Sequence, residues 1–253
     1  MEAPAEVSAG GDAAWRVEEL ERELAQARQA LEDFTHSVSH DLRAPLRHVQ
    51  AYLRIAREDL GEALDPAVAA HLDTAAGAAV QLGRMIDGLL ELARLGRTDL
   101  QCDPVDLGRL LGDLRRQMDE RAQARVLDWH IAPDLPPVQG DAALLGRMLG
   151  CLLDNALKFT RDCAGAARIE VGWRALAGGR CEIHVQDNGA GFDPRTQERL
   201  FRVFQRLHGA RQFEGLGLGL ALARKVVERH GGQIRASGAP GQGCRIAFDL
   251  PLA

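Results

Sequence analysis

The chain has no two cysteines at a C-x-x-C spacing; its five cysteines, at 102, 151, 163, 181 and 244, stand apart. That spacing offers neither a zinc ribbon nor a dithiol redox pair. Scattered thiols fit a reducing compartment, so a cytoplasmic protein is expected. No run of about 18 apolar residues is present, so no membrane span is expected, and the N-terminus lacks the pattern of a secretory signal. Lysine is nearly missing: Lys158 and Lys225 are the only two, and the remaining cations are arginines. A net charge of -5 argues against general nucleic-acid binding. No internal repeat on the solenoid scale is found.

What is present is ample apolar content, 46% of 253 residues, enough for one or two domains with cores. The chain is organised around Phe34 to Leu46, FTHSVSHDLRAPL. Upstream, Leu20, Leu24, Ala27, Leu31 and Phe34 alternate steps of four and three, a heptad seam. Leu46, Val49, Leu53, Ala56 and Leu60 resume it. Between them Phe34, Val38, Leu42 and Leu46 step by four, which locally unwinds such a seam. His40 lies two residues from both Val38 and Leu42, so it points about 200° from the seam, toward water. Pro45 is expected to bend the helix by clashing with the carbonyl of residue 41. An exposed imidazole beside the Asp41 carboxylate is a plausible reactive pair, although a lone exposed histidine is more often a solvated surface residue.

Residues 1–14, rich in Ala, Gly, Pro and acid, are expected to be a disordered tail. A helix from Trp15 to about residue 60 should end at Gly61. Asp65-Pro66 then caps a second helix carrying Val68, Leu72, Ala75, Ala79, Leu82, Ile86, Leu89 and Ala93, an antiparallel second seam. Residues 15–95 therefore read as a coiled-coil and helical-hairpin domain. Two helices alone bury little, so a homodimer forming a four-helix bundle is expected. Residues 96–104 read as a linker, and 105–253 as a second domain of mixed composition. There a helix spans 107 to about 124, a strand 127–132, and a turn LPPVQGD follows. Asp141 caps a helix over 142–160. A strand pair at 168–175 and 180–187, a glycine-rich loop over 188–217, a helix to about His230 and strands near 232–236 and 243–250 complete it. The fold class expected is α plus α/β: a helical hairpin followed by an α/β sandwich.

Several residue patterns in the second domain carry chemistry. Leu145, Met148, Leu152, Asn155 and Phe159 share one helix face, so Asn155 is an amide in an apolar stripe and needs partners. With Lys158 one turn on, it suits Mg²⁺ and nucleotide phosphate; a helix-helix hydrogen bond beside a surface lysine is the plain alternative. Cys181, Ile183, Val185 and Asp187 alternate on one strand face, which thus ends in a carboxylate able to accept from an amino group such as that of adenine. Gly189 and Gly191 would let the backbone approach a flat ring; Asp-Asn-Gly is also an ordinary turn. Phe201 and Phe204 are expected to pack one end of a lid, with Arg202 and Arg206 flanking. Gly215, Gly217 and Gly219 precede a helix, where backbone amides form an anion site.

The stretch SVSHDLRAPLRHV resembles the phospho-accepting box of the sensor histidine kinases of bacterial two-component systems, in the form found behind phytochrome and PAS-type sensors. The segment around Asn155 resembles their asparagine box, DNGAGF the first glycine box of the kinase-gyrase-Hsp90-MutL ATPases, Phe201 and Phe204 the phenylalanine box, and GLGLGL the second glycine box. The resemblance covers nearly everything from about residue 30 onward, with the motifs in the family's order. It implies His40 as phospho-acceptor with Asp41 beside it, ATP as substrate, Asn155 on Mg²⁺, Lys158 on phosphate and Asp187 on adenine. It also implies a response-regulator receiver domain as partner and an upstream sensor acting through the N-terminal coiled coil. Two positions depart from the family pattern. Cys151 stands where many members carry a second asparagine, and thiols suit Mg²⁺ poorly. Ala44 stands where many carry Thr or Asn, so weak phosphatase activity is expected. The rival readings are a dimeric scaffold with a degenerate ATP site and a clamp-like ATPase.

Overall fold

The computed structural model describes residues 8–61, 64–96, 99–122, 125–163, 165–207, 209 and 212–253. They form two compact units, residues 1–93 and 94–253.

The first unit is a helical hairpin. Its long helix, α1, runs from Ser8 to Leu60 through Pro45 without interruption. The helix therefore starts at Ser8, ahead of Trp15, and residues 1–7 of the expected tail lie outside the described residues. Ala9, Ala13 and Ala14 are strong helix formers, and no proline lies between Ser8 and Pro45, which outweighs the cost of two glycines. Gly61, with φ +48°, ends α1. Asp65 caps α2 (Pro66–Arg94) by accepting from Ala67 N at 2.7 Å. The antiparallel register is pinned by Arg43 to Asp87 at 2.6 Å and by Arg57 to Asp73. Gly83 of α2 lets Leu46 pack against its backbone. Ala79, Ile86 and Leu90 are buried. Much of the apolar seam of α1 remains bare: Phe34 is 66% exposed, and Val38, Leu42 and Val49 are exposed with it.

The second unit is a sheet of five strands, in the spatial order Leu127–Ile131, Ala167–Leu176, Arg180–Asp187, Cys244–Pro251 and Ile234–Gly238, with two helices against it and a third packed on one of them. In chain order β1 (Asp103–Val105), α3 (Leu107–Ala122), β2 (Leu127–Ile131), β3 (Val138–Gly140) and α4 (Ala142–Phe159) come first. The hairpin β4 (Ala167–Leu176) and β5 (Arg180–Asp187) follows, then a 3₁₀ turn (Pro194–Arg199), α5 (Gly219–Arg229), β6 (Ile234–Gly238) and β7 (Cys244–Pro251). Only β2 runs parallel to its neighbour. β1 and β3 form a separate antiparallel pair. Neither is legible as a strand in the sequence. Asp103-Pro104 reads as the end of a linker and Val138-Gly140 as part of a Pro-rich turn, and each becomes a strand only because the other pairs with it.

Register explains the layering. Ile169, Val171, Ile183, Val185, Ile246, Phe248 and Ala236 fall on one face and are all buried, since strand neighbours alternate faces. α4 meets this face with Leu145, Met148, Leu149, Leu152 and Leu153, each at most 2% exposed. The opposite face is polar. There Glu182 receives Arg174 at 2.8 Å and Arg235 from β6, and this pairing holds its carboxyl below the usual range despite burial.

Candidate functional site

Asp187 is the last residue of β5 and lies on the helix-facing side, paired in register with Ile169. An apolar strand face thus ends in a buried carboxylate, 9% exposed. Burial pushes its pKa up to about 6, against hydrogen bonds from the backbone N–H groups of Gly189 (2.8 Å) and Cys244 that favour the ionised form. A buried carboxylate with acceptor capacity to spare is suited to an incoming N–H donor.

α4 supplies the second wall. Its N-terminus is fixed by Asp141, which accepts from Ala143 N and Leu144 N. The imidazole of His230 accepts from Asp141 N at 3.0 Å while donating to Val226 O, so it ties the start of α4 to the end of α5. Along α4, Cys151, Asn155 and Lys158 face one cavity of about 740 Å³ that Asp187 also lines. Lys158 Nζ donates to Asn155 Oδ1 at 3.2 Å. Burial, and next the charge of Arg206, lowers the Lys158 pKa. Two cations therefore converge on one part of the cavity, an arrangement that favours an anion.

The third wall is glycine-rich backbone. Gly215 and Gly217 take positive φ, +128° and +73°, and Gly219 opens α5. No side chain caps the α5 N-terminus, so its amides are available to an anion. A Cβ on Gly219 would sit 3.8 Å from Cys151 Sγ and 3.9 Å from Asn155 Nδ2, which places thiol and amide side by side.

Asn155, Lys158, Asp187, Gly191, Gly215, Gly217 and Gly219 are thus brought together around one cavity. Gly189 does not line it. A Cβ there would strike Phe159 O at 2.4 Å, and one on Gly191 would lie 1.9 Å from Ala239 O. Both positions need glycine within the protein itself, because the loop after β5 is clasped between α4 and the β6–β7 turn, while Gly191 also lines the cavity. Of the two flanking arginines, Arg206 lines the cavity together with Leu200; Arg202 does not. Sequence reasoning missed Cys244, Phe213 and Phe192 in the lining. Cys244 starts β7, and its thiol is pushed up to about 12 by burial and by Asp187. Its place is set by the β5–β7 pairing, which no local signal announces.

His40 and Asp41 belong to the first unit. His40 Nδ1 lies 3.2 Å from Asp41 Oδ1, and both side chains are about three-quarters exposed, 76% and 75%. Ser39 beside them is buried and donates to Thr35 O. Helix geometry thus sends successive residues to opposite environments.

A bound Mg²⁺ keeps several waters and takes one or two protein ligands plus phosphate. Asn155 Oδ1 fits as one such ligand once released from Lys158; Cys151 adds nothing to a hard ion. Among the described residues no cluster of three His, Cys, Asp or Glu forms a metal cage.

Comparison with known proteins places two family models on the chain. Residues 30–98 match the His Kinase A (phospho-acceptor) domain, and residues 140–253 the histidine kinase-, DNA gyrase B- and HSP90-like ATPase. The chain is 33% identical to cyanobacterial phytochrome B of Nostoc sp. over 92% of its own length and 31% of that protein's. It is 31% identical to the methanogenesis regulatory histidine kinase FilI of Methanothrix harundinacea over 97% of its length and 27% of that protein's. It therefore spans about a third of these curated relatives. Among solved structures, full-length ShkA in complex with AMPPNP matches with a TM-score of 0.62 at 28% identity, over 87% of this chain and 46% of that one.

Proposed function

The chain belongs to the sensor histidine kinases, as their transmitter module, and from that premise we propose that it transfers the γ-phosphoryl of ATP to His40 and passes it on to an aspartate of a response regulator. The single observation carrying this reading is the cavity that joins Asp187, Asn155, Lys158, Arg206 and an uncapped helix N-terminus. It offers an acceptor for a purine amine at one position and cations with free amides at another. No helix among the described residues is long and apolar enough to cross a membrane.

Each residue then has a task. Asp187, ionised, accepts from the exocyclic amine of adenine. Lys158 and Arg206 take the phosphates, together with the amides at the start of α5. Asn155 Oδ1 would hold Mg²⁺, which would supply neutralisation of the triphosphate charge. At the acceptor, Asp41 takes a hydrogen bond from Nδ1–H of His40, which fixes the tautomer with its lone pair on Nε2. Nε2 forms the new bond to phosphorus as the bond from phosphorus to the bridging oxygen breaks, ADP leaves, and the Nδ1 proton passes to Asp41 or water.

The working unit is a homodimer, supported by the bare apolar residues of α1, with an upstream sensor acting through that helix and the receiver domain docking on the bundle. Ala44 offers neither hydroxyl nor amide to orient a water, so phosphatase activity is weak. The test is incubation with γ-labelled ATP and Mg²⁺. An acid-labile label on the chain is expected; no label together with no nucleotide binding would instead favour a signalling scaffold with a degenerate ATP site, and no label with nucleotide binding an inhibited kinase or a clamp-like ATPase.

A further inference from the structure

A helix leaves its last four carbonyls without partners inside it. In α4 these belong to residues 156–159, the turn that carries Lys158 and directly follows Asn155. No glycine closes this helix. Its C-cap is Thr160, at φ −90° and ψ 4°, and Arg161 beyond it does not take a positive φ, so the usual left-handed cap is missing. Other groups serve the carbonyls instead. Ala156 O accepts from Thr160 N at 3.2 Å and from Thr160 Oγ1 at 2.8 Å, and Lys158 O accepts from Arg161 N at 3.2 Å. Phe159 O accepts from Ala190 N at 3.0 Å, in the loop after β5. Leu157 O accepts from Thr160 Oγ1 at 3.2 Å and, from another element altogether, from Arg125 Nη1 at 3.1 Å.

Arg125 lies just ahead of β2 and is half-buried. Its guanidinium is used twice, since Nη2 donates to Thr160 O at 2.8 Å and to Thr160 Oγ1 at 3.2 Å. A planar fork can hold two carbonyls at once in this way, whereas a lysine offers a single point of charge. The cation also stands where the helix dipole is negative. Arg125 lines the cavity as well. With both terminal nitrogens on protein oxygens, it acts on α4 and not on a ligand.

We propose that Arg125 is a positioning residue of the nucleotide site: it clamps the last turn of α4 and thereby sets Asn155 and Lys158 toward the phosphates. The proposal rests on the nucleotide reading of the cavity. Asp187 is placed independently, by the pairing of β5 with β4 and by the N–H groups of Gly189 and Cys244. Loosening the α4 turn therefore weakens the hold on phosphate and spares the hold on the base.

The test uses Arg125→Ala and Arg125→Lys in the full chain, each checked for folding by circular dichroism. Without nucleotide, hydrogen exchange of the amides over 157–161 should be about tenfold faster in Arg125→Ala than in the natural chain. Its calorimetric affinity for Mg-ADP should fall about tenfold, while its affinity for adenosine, read by displacement of a fluorescent ADP analogue, should change by about twofold at most. Arg125→Lys keeps the charge at the helix end but not the fork, and should fall between the two. Should the alanine variant not fold, the lysine variant decides alone, with both shifts at about threefold. Mg-ADP affinity that stays within about twofold, or an equal loss for adenosine, overturns the positioning role and leaves the nucleotide site standing. Lost Mg-ADP affinity with unchanged exchange does the same, because Arg125 would then touch the phosphate itself. No heat of Mg-ADP binding by the natural chain overturns both.

Discussion

Two aspartates, Asp41 and Asp187, which the proposed function puts at opposite ends of one reaction, are housed in opposite ways. Asp41 stands on a helix beside His40 with three-quarters of its side chain in water. Asp187 is 9% exposed at the end of a strand, held by two backbone N–H groups and raised toward pH 6 by burial. Under the proposed function the acceptor would be reached by two successive partners, a nucleotide and then a receiver domain, which an enclosed histidine would not allow. The nucleotide must be held, so the carboxylate that reads it is withdrawn from water, where a hydrogen bond counts for more. Exposure makes the first pair dispensable for folding. Burial makes the second residue costly to it.

Substitution at each aspartate should expose that contrast. The largest expected effect is on binding: Asp187→Asn should weaken Mg-ADP by about a hundredfold or more in calorimetry, as an acceptor becomes a mixed donor and acceptor in a desolvated site. Asp41→Asn should leave ADP affinity within twofold or so, as expected of an exposed group. Equal effects at both would erase the comparison.

Stability should move the other way. The Asp187 pKa is raised from 3.8 to about 6, so its contribution is fully present below 3.8 and is lost as pH rises through 6. Two units correspond to about 3 kcal/mol. In denaturant titrations without nucleotide, Asp187→Asn should therefore be more stable than the natural chain at pH 8, by up to about 3 kcal/mol, with the difference gone near pH 3. A site built for binding is then a site that costs stability. A destabilised variant at pH 8 would show that the two N–H groups need the charge more than burial penalises it.

The acid limb sharpens the same point. ADP affinity should fall as pH drops through about 6, by at most about tenfold per unit, because the protonated carboxyl no longer offers both oxygens. His40→Gln should show the same profile, since the acceptor is not part of the binding site. Smallest of all, Arg43→Ala should cost about 1 kcal/mol or less, because its ion pair with Asp87 across the hairpin is largely exposed.

Local pattern makes half of this legible. Period-two alternation places Asp187 on the buried face, and helical spacing puts Asn155 and Lys158 together and His40 toward water. These follow from backbone geometry alone. What is not legible depends on neighbours distant in sequence. The β1–β3 pair sets Asp103 opposite Gly140 and Val105 opposite Val138, and neither segment resembles a strand alone. Gly189 and Gly191 read as room for a ligand; Gly191 lines the cavity and Gly189 does not, and the contacts a Cβ on either would make with Phe159 O or Ala239 O are set by chain segments far away in sequence. Cys244 and Phe213 reach the cavity through strand pairing and loop closure. The start of α1 is hard to place because composition favouring disorder competes with alanines that simply continue a helix.

The most direct test of the account uses one variant and two readouts. His40→Gln, given γ-labelled ATP and then titrated with Mg-ADP, should take no acid-labile label while binding Mg-ADP as tightly as the natural chain. Label retained on the variant, or Mg-ADP binding abolished along with the histidine, would contradict the division of the reaction between an exposed acceptor and a buried nucleotide site.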